Sequence, residues 1–342
     1  MVLSGTGPGM GKRGSVRKSW LLAAVILGAS LASGQPAPTG TVTANDAYDR
    51  QYAVRGIDLM MDGDLSAAIE IFRQIQNRDP QSPLGFVLEA DATWWRIYYA
   101  SANLIDPDVF DVSNQEATPY DSHFNDLVDV SIRKAEARVH ADEDLARSYL
   151  YEGYGYGLRA RLEGLHDRDL PTARAGKKMR ALMLRALELD PNLTDAYLGI
   201  GIYNYFVDSL STIVKILSVF IGLPGGSRTE GLRQLQLCAD RGEIARADSK
   251  FYLAKDYSRA NEKQFGKSLH LFLELQQEYP HNPLWPMLVG SLHFRLGESQ
   301  QGESIYREVY QNAAGKTSEV DVAVHHAAGH ALERLHPGQA FP

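Results

Sequence analysis

The chain has 342 residues, of which 44% are hydrophobic and 23% are charged, and this composition is ordinary for a folded protein. Its net charge is −7, without the excess of basic residues that is typical of a nucleic-acid-binding domain, so we expect no nucleic-acid partner. Cys238 is the only cysteine, which excludes an intramolecular disulfide and leaves packing to stabilise the fold.

Residues 1–34 have the pattern of a secretory signal peptide. Basic residues without any acidic residue come first, an apolar stretch follows at 20–31, and small residues crowd the end of the segment. The apolar stretch is shorter than the ~20 residues that span a bilayer, and an uncleaved membrane anchor is the alternative. We therefore expect an exported protein of the periplasm or cell envelope. Removal of residues 1–32 takes away four positive charges and no negative ones, so −7 becomes −11.

Residues 35–46 contain Pro, Thr and Gly without apolar periodicity and predict a linker. Between 47 and 336 the apolar residues recur at helical spacing, and the first part of this range matches the tetratricopeptide pattern of two antiparallel helices in ~34 residues. The matching positions are Tyr52, Gly56, Gly63, Ala68, Phe72 and Pro80. In that pattern Gly56 allows close helix packing, Gly63 makes the turn, and Pro80 ends the second helix.

The same pattern recurs further along the chain. Its later positions are Pro191, Tyr197, Gly201, Phe272, Pro280, Gly290, Gly297 and Tyr306. The chain resembles tetratricopeptide repeat proteins over roughly 47–80, 175–205 and 250–312. This resemblance implies an all-α fold, an α-solenoid of about six TPR-like helical hairpins followed by a C-terminal helix.

The distance between two helix-ending prolines predicts an apolar insertion at about 206–226. Pro191 and Pro280 lie 89 residues apart, which is 21 more than two units of ~34 residues. Between 213 and 221 only Lys215 and Ser218 are polar. The segment 206–223 is too short and interrupted to span a membrane. It is either buried under the repeats or a docking helix for a membrane surface or a partner.

A longer resemblance includes this insertion. Its motifs are Gly201-Ile202-Tyr203-Asn204-Tyr205, Ser209-Leu210, Lys215-Ile216-Leu217, Gly222, Gly225-Gly226 with Arg228, Gly231-Leu232 and Glu278-Tyr279-Pro280-His281-Asn282-Pro283. Through these motifs residues 199–310 resemble the tetratricopeptide repeat protein 39 family, which includes the fungal inclusion-body clearance protein. The resemblance implies a helical-repeat scaffold without established catalytic residues, with membrane or lipid association as an option.

A solenoid of this class would present the first helices of its hairpins on a concave binding face. The repeat register offers six residues to that face as ligand-reading groups: Glu89, Arg96, Arg147, Tyr154, Tyr205 and Tyr257. A cluster of Trp94, Trp95, Tyr98 and Tyr99 on one predicted helix is either core packing or part of the groove. We expect the partner to be a protein, a peptide or an envelope component, and peripheral membrane contact through 206–223 is the alternative.

The sequence lacks the motifs of common catalytic and cofactor sites, including Gly-x-Ser-x-Gly, His-Glu-x-x-His, paired Cys-x-x-Cys and a Rossmann fingerprint after a strand. We therefore predict no enzyme and no cofactor. The one weak candidate for a metal site is His326 with His330, which share a helix face at i, i+4 spacing. Surface histidines are the competing interpretation, and a metal-dependent enzyme is the most distant alternative.

Overall fold

The computed structural model of the chain describes residues 44–100, 104–105, 117–209 and 222–341. The predicted signal peptide and most of the segment 206–223 lie outside the described residues. The first helix begins at Ala44, inside the segment 35–46 that the composition assigns to a linker.

The described part of the chain is helical throughout and contains no strand. Its thirteen helices are α1 Ala44–Met61, α2 Leu65–Arg78, α3 Leu84–Ala100, α4 Asp121–His140, α5 Leu145–Leu165, α6 Asp169–Leu189, α7 Ala196–Ser209, α8 Arg228–Arg241, α9 Arg246–Ser258, α10 Phe265–Glu278, α11 Leu284–Arg295, α12 Ser299–Ala313 and α13 Glu319–Leu335. None of these helices is both long enough and apolar enough to cross a membrane.

The helices pack in adjacent pairs, from α1 with α2 to α11 with α12, and α13 follows as a last helix against α12. The first helices of successive hairpins also contact one another, as in α1 with α3, α3 with α5, and α5 with α7. This arrangement of all-helical pairs is consistent with a helical solenoid.

Two hairpins, α1–α2 and α11–α12, share the same spacing of glycine, turn and aromatic residue. Gly63 and Gly297 adopt φ values of +94° and +84°, which L side chains rarely adopt, and they make the two turns. Seven residues before each turn a glycine faces an aromatic ring of the second helix. A Cβ atom on Gly290 would lie 2.8 Å from Cε1 of Tyr306, and one on Gly56 would clash with the ring of Phe72.

Three second helices end two residues before a proline. The helices α2, α6 and α10 end at Arg78, Leu189 and Glu278, ahead of Pro80, Pro191 and Pro280 respectively. A proline disfavours helical backbone at the residue before it and removes an amide donor. The sequence therefore placed these helix ends correctly.

Aromatic side chains fill the space between α3, α9 and α11. Trp95 on α3 lies 5.0 Å from the ring of Phe251 and 6.1 Å from that of Trp285, measured between centroids. Trp94, Tyr98 and Tyr99 are also no more than 4% exposed. Core packing is therefore the correct interpretation of this aromatic cluster.

The turn between α10 and α11 packs against the first hairpin, more than 200 residues earlier in the sequence. Asn282 donates from Nδ2 to the Met61 carbonyl at 2.8 Å, and Trp285 donates from Nε1 to the same oxygen at 3.1 Å. His281 lies 2.7 Å from Asp62 through Nδ1. Early and late hairpins therefore contact each other directly, which an open array with nearest-neighbour contacts alone does not require.

Candidate ligand-binding cavity

A cavity of about 510 Å³ lies among α3, α5, α6, α7 and α9, and we call it the inner cavity. Most of the side chains around it are apolar: among them are Leu88, Leu158, Met179, Met183, Ile202 and Val207. Leu170 and Phe206 also line the cavity, and they are 44% and 39% exposed respectively. Apolar surface therefore continues outward from the cavity. Pockets that bind small molecules have this apolar character and size, ~300–1,000 Å³.

Glycines on the lining helices leave room in the inner cavity. Gly157, Gly176 and Gly199 all contribute to its wall. A Cβ atom on Gly199 would clash with Sδ of Met183, so that glycine is needed for close packing of α7 on α6. A Cβ atom on Gly176 would meet only Cδ2 of Tyr203, at 3.7 Å, which is ordinary van der Waals contact. Position 176 can therefore carry a larger side chain that would project toward the cavity.

One wall of the inner cavity carries two carboxylates on either side of an arginine. Arg161 on α5 donates from Nη1 to Oδ1 of Asp91 on α3 at 2.9 Å, and its Nη2 lies 3.6 Å from Oδ2 of Asp248 on α9. The guanidinium also lies over the ring of Tyr252, 4.9 Å from the centroid. All three charged side chains are at most 15% exposed. We call Asp91, Arg161 and Asp248 the buried triad.

The buried triad holds one negative charge in excess when both carboxylates are ionised. Burial, followed by repulsion from Asp248, raises the pKa of Asp91 well above its ordinary value, although Arg161 acts in the opposite direction. Oδ1 of Asp248 is buried, and a hydrogen bond between the two carboxyl groups also raises the pKa of Asp91. A proton on Asp91 is one way to satisfy this oxygen.

Two of the six predicted ligand-reading residues line the inner cavity. Tyr205 is buried and donates its hydroxyl to the carbonyl of Asp256 at 3.3 Å. Tyr154 donates to the carbonyl of Asp195 at 3.4 Å. Burial raises the pKa of both phenols, so both stay neutral hydrogen-bond donors.

Glu89 and Arg96, two more of the six predicted ligand-reading residues, do not line the inner cavity. Glu89 is buried and accepts hydrogen bonds from Nε of Arg73 at 2.9 Å and from Nε2 of Gln76 at 2.6 Å. Arg96 donates from Nε to Glu319 at 2.7 Å and lines a separate pocket of about 330 Å³. Both side chains thus connect helices within the fold.

Arg147 and Tyr257 lie in two further places. Arg147 is 3.5 Å from Asp144 in the same helix turn and borders a small crevice of about 20 Å³. Tyr257 lines a groove of about 530 Å³, where Nζ of Lys267 lies 5.1 Å from its ring centroid. The structure does not bring the six residues together in one site.

The weak metal candidates lie on α13. His326 and His330 are exposed, and Nδ1 of His330 is 3.3 Å from Glu333. Among the described residues no three His, Cys, Asp or Glu side chains converge as a metal site would require.

Sequence reasoning missed the buried triad. Asp91, Arg161 and Asp248 lie on three helices that are 70 and 87 residues apart, so no local spacing connects them. A partial signal exists in α9, where Asp248, Tyr252 and Asp256 recur every four residues on one helix face. Polar residues on a buried helix face indicate pairing with polar residues of other helices. Only the fold shows which residues those are.

Comparison with known proteins places the chain in no established family. No protein-family model matches the sequence, and no curated protein matches it.

Proposed function

We propose that this protein is a non-catalytic binding protein built from TPR-like helical hairpins, and that an apolar ligand occupies its inner cavity. The observation that carries the proposal is the cavity itself, with a volume of about 510 Å³ and a mainly apolar wall. Burial of a ligand there removes apolar surface of both partners from water, which is favourable by about 25 cal/mol per Å².

Repeated geometry supports the TPR-like part of the proposal. The hairpins α1–α2 and α11–α12 place a glycine, a turn glycine and an aromatic residue at equal spacing, as in the tetratricopeptide pattern. Prolines follow α2, α6 and α10 at equal distances. Export to the periplasm or envelope is proposed from the signal-peptide pattern alone.

A lipid-interacting, membrane-peripheral module is the second candidate. The exposed side chain of Leu170 lies on the cavity lining, and Leu223, the last residue of the apolar segment 206–223, lines the same cavity. An apolar ligand could enter from a membrane surface at this rim. In this candidate the ligand is an envelope component and the protein contacts the bilayer from one side.

Filling the inner cavity tests the proposal. We expect Gly176→Leu to weaken binding of the neutral fluorescent probe N-phenyl-1-naphthylamine at least about tenfold, because the added side chain occupies the ligand volume. The measurement is a fluorescence titration of the full chain. The matched control is Gly266→Leu on α10, where a Cβ atom meets nothing within 4 Å.

The control variant should bind the probe as the parent protein does. Circular dichroism melting shows whether both variants stay folded. If the parent protein binds no probe, or if Gly176→Leu binds it unchanged, the inner cavity is not the binding site.

A further inference from the structure

We propose that the ligand of the inner cavity is a cationic amphiphile, an apolar chain with one protonated amine that reaches Asp91 and Asp248. This inference rests on the proposed function, because it specifies the chemistry of the ligand in the same cavity. It adds a polar recognition element, the buried triad, to the apolar wall.

The charges around the cavity favour a cation over an anion. Among the described lining residues, five are acidic and two are basic: Asp91, Asp167, Asp169, Asp248 and Asp256 against Arg161 and Arg259. The pair of Asp256 and Arg259, at 3.1 Å, neutralises itself. What remains is the buried triad, with two carboxyl groups and one guanidinium, and two exposed carboxylates at Asp167 and Asp169. A carboxylate or phosphate ligand would meet repulsion from Asp248 inside the cavity and from the exposed Asp167 and Asp169 on its lining.

Nearby basic residues do not reverse this balance. Arg168 and Lys177 are exposed and do not line the cavity. Arg168 is also 3.3 Å from Glu163, which offsets its charge. Arg180 does not line the cavity either, although its guanidinium lies 5.4 Å from the ring centroid of the lining residue Tyr203. Among the described residues that line the cavity itself, acidic side chains outnumber basic ones.

Asp91 and Asp248 of the buried triad both lie on the cavity lining, within reach of a ligand head. Oδ1 of Asp248 is itself buried, and the hydrogen bond between the two carboxyl groups supplies its partner when Asp91 carries a proton. Once that proton is lost the buried acceptor is unpaired, which is unfavourable, and more so when the acceptor is charged. An ammonium group offers three donors and one positive charge, so it can donate to these carboxyl groups and balance their second negative charge.

The groups that face Asp91 from the surrounding helices are Arg161 and Tyr154 on α5 and Asp248 and Tyr252 on α9. Burial raises the pKa of both phenols, so neither carries charge near neutral pH. Burial, followed by repulsion from Asp248, raises the pKa of Asp91, so without ligand a proton on Asp91 relieves the second negative charge. A cation can take the place of that proton, whereas a neutral alcohol cannot, because it brings no positive charge to balance the second carboxylate.

Three ligands with the same chain and different heads test the inference. Dodecylamine, dodecanol and dodecanoic acid each displace N-phenyl-1-naphthylamine from the full chain at pH 7.5, below their aggregation concentrations. The amine is protonated at this pH, as a lysine side chain is. We expect dodecylamine to bind at least about tenfold more tightly than dodecanol, and dodecanoic acid to bind weakest.

A charge-removing variant connects this preference to the buried triad. Asp248→Asn keeps the side-chain shape and should reduce dodecylamine affinity about tenfold while dodecanol affinity stays the same. The matched control is Asp240→Asn on α8, which changes an exposed carboxylate outside the cavity. This variant should bind dodecylamine and dodecanol with the affinities of the parent protein. If Asp248→Asn fails to fold by circular dichroism, Asp91→Asn gives the same readout from the other carboxylate.

The outcomes separate this inference from the proposed function. Equal affinity for all three heads, or an amine preference that survives the carboxylate variants, overturns the cationic ligand while the apolar cavity site stands. Binding of none of the chains, together with no probe binding, overturns both.

Discussion

At the scale of the residue, Asp195 shows how one buried carboxylate connects two turns. It lies between α6 and α7, is 4% exposed, and its Oδ1 accepts hydrogen bonds from the amides of Ile244 and Ala245 at 3.1 and 3.0 Å. Burial raises the pKa of Asp195 to about 6, and the amide donors oppose this only in part. The carboxylate therefore holds the turn before α9 in place at an electrostatic cost near neutral pH.

The raised pKa of Asp195 predicts a pH-dependent stability. Between pH ~4, the unfolded pKa, and pH ~6, the folded chain retains a proton that the unfolded chain has lost, so the free energy of unfolding decreases as pH rises. The total loss is about 3 kcal/mol. The Asp195→Asn variant has no carboxyl group at this position, so it does not show this loss of stability. Urea denaturation at pH 4, 5, 6 and 7 should show the variant gaining stability relative to the parent as pH rises.

Asp240→Asn, which changes an exposed carboxylate, is the control for that experiment. Parallel pH profiles for the parent protein and Asp195→Asn would contradict the assigned role of this carboxylate.

At the scale of the element, glycines set the distance between paired helices. A Cβ atom on Gly201 would lie 2.9 Å from Cγ of Leu235 and 3.0 Å from the carbonyl of Gly231 on α8. On Gly56 it would clash with the ring of Phe72 on α2. Gly153 and Gly155 play the same part for α5, with Cβ positions 2.9 Å from Met183 and 2.6 Å from Ile132. The helix pairs are close-packed wherever these residues lie.

We expect Gly56→Leu and Gly201→Leu each to reduce the free energy of unfolding by about 2–4 kcal/mol, because the new side chain separates two packed helices. Urea denaturation followed by circular dichroism measures the change. Gly266→Leu, which meets nothing within 4 Å, should be neutral or slightly stabilising since leucine favours helix. Equal stability of all three variants would mean that the helix pairs are not held at the described distance.

At the scale of the whole molecule, contacts between early and late hairpins join segments that are distant in sequence. Asn282 is buried, and its Oδ1 accepts hydrogen bonds from Tyr99 at 3.2 Å and from the Leu284 amide at 3.0 Å, while its Nδ2 donates to Met61. One side chain thus connects α1, α3 and α11. Stability should be shared between these helices rather than built up repeat by repeat.

We expect Asn282→Ala to reduce the free energy of unfolding by roughly 2–3 kcal/mol, because it leaves buried polar groups of Tyr99 and Leu284 without a partner. Hydrogen exchange should become faster in both α1 and α11. Asn125→Ala is the control, since Asn125 is exposed and donates only within its own helix, to the Asp121 carbonyl at 2.9 Å. Faster exchange confined to α11 would show that the two ends are energetically independent.

The sequence by itself determined the helical class, the pairing of neighbouring helices and several helix ends. These depend on local causes: apolar residues at helical spacing, turn glycines such as Gly63 and Gly297, and prolines after α2, α6 and α10. Only the tertiary structure decided which residues on the first helices of the hairpins are buried in the aromatic core and which line a cavity. Glu89 and Tyr205 shared one predicted face, yet one lies in an ion-paired helix contact and the other in the cavity wall. The buried triad likewise depends on helices that meet only in the folded chain, because side-chain contacts across 70 or more residues have no local sequence pattern.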